Sequence, residues 1–236
     1  MIDVIEQFWQ AFLYTHNGSF SGMAVTMWLL VLSVSMGFVI SIFFAVGRVS
    51  QRKYVAWPIW AFSYVFRGTP LYVQILFIYA GIYSLDFIKG TPTLAEFFQS
   101  GFNCLIIALT LNTAAYTTEI FAGAIRATNN GEIEAARALG MSRVTMYRRI
   151  ILPSALRRAL PAYSNEVILM LHATSLAFTA TVPDILKVAR DANSATYQTF
   201  VSYGIAAMLY LCLSFTLIGI FRWYERRTLA YLNHSR

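Results

Sequence analysis

The chain has 236 residues, of which 58% are apolar and only 12% charged, against roughly 25% charged in a typical soluble domain. So little charge cannot coat a water-facing surface, which excludes an ordinary soluble enzyme and a disordered chain and points to lipid as the solvent. The net charge of +7 would by itself suit a nucleic-acid binder, while the two cysteines, Cys104 and Cys212, lie in long apolar runs and exclude a disulfide framework and CxxC metal spacing.

The start of the chain lacks the basic region and cleavage site of a signal peptide. Ile2, Ile5, Trp9, Phe12 and Leu13 recur at helical spacing. Residues 1–14 therefore predict an amphipathic helix in the membrane interface, within a periplasmic-side segment of 1–16. A membrane span needs about 20 mostly apolar residues, and five charge-poor runs follow. The first has its core at 22–47. The second, 54–85, is interrupted by Pro58, Arg67 and the Gly68-Thr69-Pro70 triplet. It reads as an irregular or membrane-edge segment over 54–66 and a regular span over 70–86, or else as one long kinked helix. The third run, 101–125, holds Glu119; the fourth, 159–183, holds Glu166 and His172, with Pro161 as its entry turn; the fifth is 196–221. The runs are apolar on all faces rather than striped. The fold class is all-α membrane protein with about five transmembrane helices, a membrane domain over 17–221 and a tail over 222–236.

Orientation follows from lysine and arginine, which favour the cytoplasmic side. Segments 48–53, 126–158 and the tail from 222 carry fourteen of the eighteen basic residues, whereas the opposite side has Lys89, Lys187 and Arg190. The expected N-terminus is periplasmic and the C-terminus cytoplasmic. The positive charge is thus topological, and no nucleic-acid partner is expected.

One cytoplasmic connection is long. In it, Glu132 to Leu139 predict a short helix, Gly140 an αL stop, and Ser142 the cap of a second helix leading towards Pro153. The segment is either a helix–turn–helix on the inner membrane face or a solvated connector. Glu134-Ala135-Ala136, then Gly140, then Ile151-Leu152-Pro153 resemble the EAA loop of permease subunits of bacterial ABC importers, over a coupling segment of about 128–158. Phe66-Arg67-Gly68-Thr69-Pro70-Leu71 with Gln74, Ala115-Tyr116-Thr117-Thr118-Glu119-Ile120 and Pro161-Ala162-Tyr163-Ser164-Asn165-Glu166 resemble the polar-amino-acid branch. Within it, the chain is most similar to M-type permeases of importers for histidine, lysine, arginine and ornithine, with opine permeases as near relatives.

The resemblance implies a type I importer permease fold in the bacterial inner membrane. It implies a homologous second permease, commonly a different chain, two cytoplasmic ATPase subunits and a periplasmic amino-acid-binding protein. No GxxxxGK[ST] loop is present, so ATP and magnesium are expected on the ATPase and no cofactor, metal or catalytic residue on this chain.

Several residues are candidates for function. Glu134, Ala135, Ala136, Gly140, Ile151, Leu152 and Pro153 would couple the permease to the ATPase. Glu166 is an intramembrane carboxylate, which must pair or line a wet cavity; it either meets a cationic substrate, with Asn165 beside it, or pairs with Arg67 or His172. Arg67, Gly68, Thr69 and Pro70 form either a gating break in the pathway or a plain kink. Glu119 is a structural or gating charge expected to pair with Arg67 or a backbone end. Thr174, Ser175, Thr179 and Thr181 predict interhelical hydrogen bonds. Asp184, Lys187, Arg190 and Asp191 lie on an outer helix that caps or docks. Ala114, Ala115, Ala122, Gly123 and Ala124 give the third span a small surface for close contact, within the subunit or with a second permease. A membrane-embedded enzyme is disfavoured by the lack of HExxH and GxSxG; a secondary transporter is disfavoured by five spans without an internal repeat.

Overall fold

In the computed structural model, residues 2–16 and 18–228 are described, with side chains omitted for residues 2, 3 and 16. Residues 229–236 of the expected tail, Arg236 included, lie outside the described residues. Helix α1 (Ile2–Leu13) leads into a small antiparallel hairpin, β1 (Thr15–His16) and β2 (Ser19–Phe20). Helix α2 (Gly22–Arg48) is followed by α3 (Lys53–Gly68) and α4 (Leu71–Leu76), which continues as a π-helical turn over Phe77–Ile82. Short helices α5 (Asp86–Lys89) and α6 (Pro92–Gln99) precede α7 (Gly101–Arg126). Then come α8 (Asn130–Ala138), α9 (Arg143–Met146) with a π turn over Tyr147–Ile151, and α10 (Leu152–Ala173) with a 3₁₀ extension over Thr174–Ala180. Helices α11 (Ile185–Thr196) and α12 (Thr199–Thr228) complete the described chain.

Among the described residues, α2, α7 and α12 are long and apolar enough to cross a membrane alone, and the bent pair α3–α4 makes a fourth. Helix α10 falls outside this group because Arg157, Arg158 and Glu166 interrupt it. Its packing nevertheless runs the length of the bundle. Ala155 and Ala159 join one end cluster with Ala45, Phe121 and Ala136. Val167, Met170 and Leu171 join the central core with Leu29, Ile75 and Leu105. The connection beyond them reaches Ile185 and Val188, which pack on Val4, Phe12 and Ala206.

Helix α7 is the axis of the bundle. Of its apolar stretch 67% is buried, against 33% in α2 and 11% in α12. Small side chains make this possible: Ala114, Ala115 and Ala122 are fully buried, and Gly37 of α2 faces Thr113 so closely that a Cβ would run into the Thr113 side chain. The small-residue surface therefore packs inside the subunit. Gly123 is the exception, exposed and with open space where a Cβ would stand.

Three sequence expectations are corrected. Residues 54–66 are not irregular but lie in the regular helix α3, and the axis turns by 105° at the break before α4, so the run is a broken pair of helices rather than one long kinked helix. Pro161 is not an entry turn; α10 starts at Leu152 and runs through it, losing only the hydrogen bond that proline cannot donate. Helix α1 buries Val4, Ala11 and Phe12 against α11 and α12, while Ile5 and Trp9 stay exposed. Phe12 was expected on the lipid-facing stripe with Ile5 and Trp9, and packs inside the subunit because the sequence does not reveal α11 as a partner.

The close approach at Gly37 yields a prediction. Gly37→Leu should lower the yield and thermal stability of the purified protein, since overpacking typically costs about 1–3 kcal/mol. Gly219→Leu, at a position with nothing within 4 Å of the added carbon, should be tolerated. Equal melting temperatures for the two variants would refute the close packing.

Candidate functional site

The break between α3 and α4 is stabilised by side chains. Pro70 has no amide hydrogen, and the turn leaves the last carbonyls of α3 without helical donors. Gln74 Nε2 donates to Phe66 O at 2.8 Å, Thr69 O at 3.0 Å and Thr69 Oγ1 at 2.8 Å. From α7, Asn112 Nδ2 donates to Gln74 Oε1 at 3.1 Å and to Phe66 O at 3.3 Å. Tyr116 OH donates to Arg67 O at 3.4 Å, and the Arg67 guanidinium lies over the Tyr116 ring at 5.3 Å. Gln74, Asn112 and Tyr116 thus hold a break that Gly68 and Pro70 create, and the Thr69 hydroxyl joins them by donating to Val65 O at 2.8 Å. Sequence reasoning missed Asn112 and Tyr116; a polar residue one turn from another in an apolar span was the available signal.

Glu166 lies on the α10 face against α7 and is 7% exposed. The Thr113 hydroxyl and, at longer range, Arg67 act on its carboxylate. Among the described residues no cation stands within ion-pair distance of it. Arg67 is exposed, and His172 is engaged with Ser214 at 3.1 Å, so neither permanent pairing foreseen for Glu166 is present. The structure gathers Glu166, Thr113, Arg67 and the Gln74–Asn112 bridge in one region between α10, α7 and the break. Asn165, next in sequence to Glu166, is exposed.

Glu119 pairs with Arg48, not with Arg67: Arg48 Nε reaches Glu119 Oε1 at 2.7 Å. Arg67 ends α3 near Tyr116, one turn before Glu119, whereas the last turn of α2 brings Arg48 alongside. Of the interhelical bonds expected after His172, Thr174 makes one, with Tyr210 of α12. Thr174, Ser175 and Thr179 hydroxyls donate to carbonyls three residues back, at 2.6, 2.7 and 2.8 Å, because each finds an acceptor within its own turn.

The connection between α7 and α10 forms a helical hairpin. Asn129 caps α8 through Gly131 N at 2.9 Å, and Ser142 caps α9 through Thr145 N at 3.3 Å. Gly140 turns the chain at φ +72°. Ala136, Met146 and Ile151 anchor the hairpin on Ala45, Phe121 and Ile125, while Glu134, Ala135 and Ala138 are exposed, with Leu139 76% and Val144 77% exposed. Leu152 and Pro153 sit at the start of α10, half-buried. Arg158 binds the root of the hairpin: it donates to Ser154 Oγ at 2.6 Å, Thr128 Oγ1 at 2.8 Å and Ala124 O at 3.2 Å. The last contact places a cation at the negative end of α7.

At the other end, Asp184 caps α11 through Leu186 N and Lys187 N, both at 3.0 Å, and accepts from Tyr210 OH at 3.1 Å. Burial pushes its carboxyl up to about 6, against the lowering effect of the Lys187 and Leu186 amides. Lys187 pairs with Asp191 at 2.6 Å, and Arg190 stacks over Phe178 at 4.5 Å.

The sequence is 61% identical over 235 residues to the histidine/lysine/arginine/ornithine transport system permease protein HisM of Escherichia coli (strain K12), covering 100% of this chain and 99% of that one. It is 40% identical over 225 residues to the octopine transport system permease protein OccM of Rhizobium radiobacter, covering 93% and 90%. A crystal structure of an amino acid ABC transporter with histidines matches at TM-score 0.73 and 33% identity, over 86% of this chain and 90% of that one. The MetNI methionine ABC transporter, inward facing, shares the fold at TM-score 0.70 and 17% identity, over 97% of both chains. The family described as binding-protein-dependent transport system inner membrane component matches residues 37–230. The chain belongs to this family, as a multi-pass permease of the bacterial inner membrane with the type I ABC importer fold.

Proposed function

We propose that this chain imports basic amino acids, of the histidine, lysine, arginine and ornithine class, as one permease of an ATP-driven importer. Full-length identity of 61% to HisM carries the reading; the octopine permease is more distant at 40%. The partners are a homologous second permease, two cytoplasmic ATPase subunits that bind ATP and magnesium, and a periplasmic amino-acid-binding protein. The chain crosses the membrane five times with its N-terminus outside. In support, α1 and α11, both assigned to the outer side, pack together, and the turn after α2 meets the α8–α9 hairpin, both assigned to the inner side.

The residues divide the work. Glu166 supplies the negative charge that a cationic side chain or α-ammonium meets between α10 and α7; the lack of an ion-pair partner for it among the described residues favours this role over a permanent bridge. The 105° break at Gly68-Thr69-Pro70 beside it, with Arg67 exposed, borders the pathway. Glu119, held by Arg48, keeps α2 and α7 in register at their cytoplasmic ends. Glu134, Ala135 and Ala136 with Gly140 form the joint to the ATPase: Leu139 and Val144 offer exposed apolar contact, and Ile151, Leu152 and Pro153 carry the displacement into α10.

Glu166→Gln keeps shape and removes charge. A charge-assisted hydrogen bond contributes about 1.5–3 kcal/mol, so uptake of arginine or lysine should fall roughly ten- to a hundredfold. The yield of assembled complex and binding to the periplasmic receptor should stay unchanged. Normal uptake would remove Glu166 from the mechanism.

Gly140→Val should detach the ATPase or uncouple its hydrolysis from uptake. A Cβ there meets nothing within 4 Å, so the penalty is conformational alone, about 1–2 kcal/mol at positive φ and more when branched. Gly140→Asn, which enters αL more readily, should retain uptake; a normal Gly140→Val would contradict the joint.

In a chain freed of Cys104 and Cys212, a membrane-impermeant thiol reagent added outside should label a cysteine at position 89 and spare one at position 143. The reverse pattern would invert the orientation.

A further inference from the structure

The turn joining α2 to α3 and the α8–α9 hairpin enclose a cleft of about 390 Å³. Arg52, Arg137 and Arg143 line it over an apolar wall that includes Val46, Val49 and Ile151, and no acidic residue lines it. Among the described residues, none of these three arginines takes part in an ion pair or a cation–π contact. The nearby Arg48 differs, because Glu119 neutralises it. Three cations sharing one concavity repel each other, and an anion placed among them relieves that repulsion.

We infer that this cleft binds the phosphate headgroup of an anionic phospholipid from the cytoplasmic leaflet. The inference rests on the orientation proposed above. Val46 lies in the last turn of α2, Val49 just after it, and Arg52 immediately before α3, so the cleft opens where two spans end, at headgroup depth. Guanidinium forks match phosphate oxygens bidentately, and basic pockets between spans at the cytoplasmic face hold anionic headgroups. The apolar wall suits the glycerol and first acyl carbons, which a free phosphate lacks. The surface proposed to meet the ATPase is separate: Glu134, Ala135, Ala138, Leu139 and Val144 do not line the cleft.

The test uses the assembled transporter in nanodiscs of phosphatidylcholine containing a minor fraction of phosphatidylglycerol, with retained lipid counted by native mass spectrometry. Each of Arg52→Gln, Arg137→Gln and Arg143→Gln should weaken phosphatidylglycerol retention about fivefold, the effect of one basic residue near an anionic headgroup, and the triple variant should lose it. Replacing Arg222, Arg226 and Arg227 by glutamine removes the same charge elsewhere and should leave retention intact. Equal loss in both triples would overturn the site in favour of diffuse attraction. Displacement of phosphatidylglycerol by millimolar inorganic phosphate would make it a soluble-anion site. Loss of the ATPase from the cleft triple in discs of phosphatidylcholine alone would make these arginines docking contacts and overturn the lipid assignment. If the triple fails to assemble, Arg52→Gln, outside the hairpin, decides: unchanged retention sinks the inference.

Discussion

Hydrocarbon offers no hydrogen bonds, so every backbone group that leaves a helix inside the membrane must find a partner in the protein. This constraint governs the break between α3 and α4. On the topology proposed above, a 105° turn within the bilayer frees the carbonyls of Phe66 and Thr69, and the side chains of Gln74 and Asn112 take them up. Because Asn112 belongs to α7, the turn is fixed to the bundle axis rather than to its own strand of chain. Glu166 packs beside Thr113, the next residue of α7, so the polar break and the buried carboxylate share one support.

Close packing supplies that support. Two side chains can bridge helices only if the axes come near, and alanines at 114, 115 and 122 with Gly37 opposite allow α2 and α7 to do so. Dispersion replaces the hydrophobic effect as the cohesive force between helices in lipid. Helix α12, with little of its apolar stretch buried, presents most of its surface to lipid or to a neighbouring subunit.

The long apolar runs and the hairpin with its Gly140 stop and Ser142 cap were legible in the sequence, since hydropathy and capping are local properties. Partner choice was not. Glu119 had several cations within plausible reach, and only the meeting of α2 and α7 selects Arg48. Ser175 and Thr179 were expected to reach across helices, yet each bonds its own backbone; the same hydroxyl satisfies either geometry, and sequence does not distinguish them. The fourth run was placed too late because Arg157 and Arg158 masked the start of α10. They are compatible with a helix there because Arg158 has three acceptors.

Arg158 also sets the mechanics of the hairpin. One guanidinium clasps the carbonyl of Ala124 near the end of α7, the hydroxyl of Thr128 where α8 is about to begin, and Ser154 on the first turn of α10. The two legs of the hairpin are therefore stapled at their roots to the membrane helices. If the hairpin is the joint proposed above, a load applied at Leu139 or Val144 would pass through this clasp to α7 and α10 together, the two helices that hold Thr113 and Glu166.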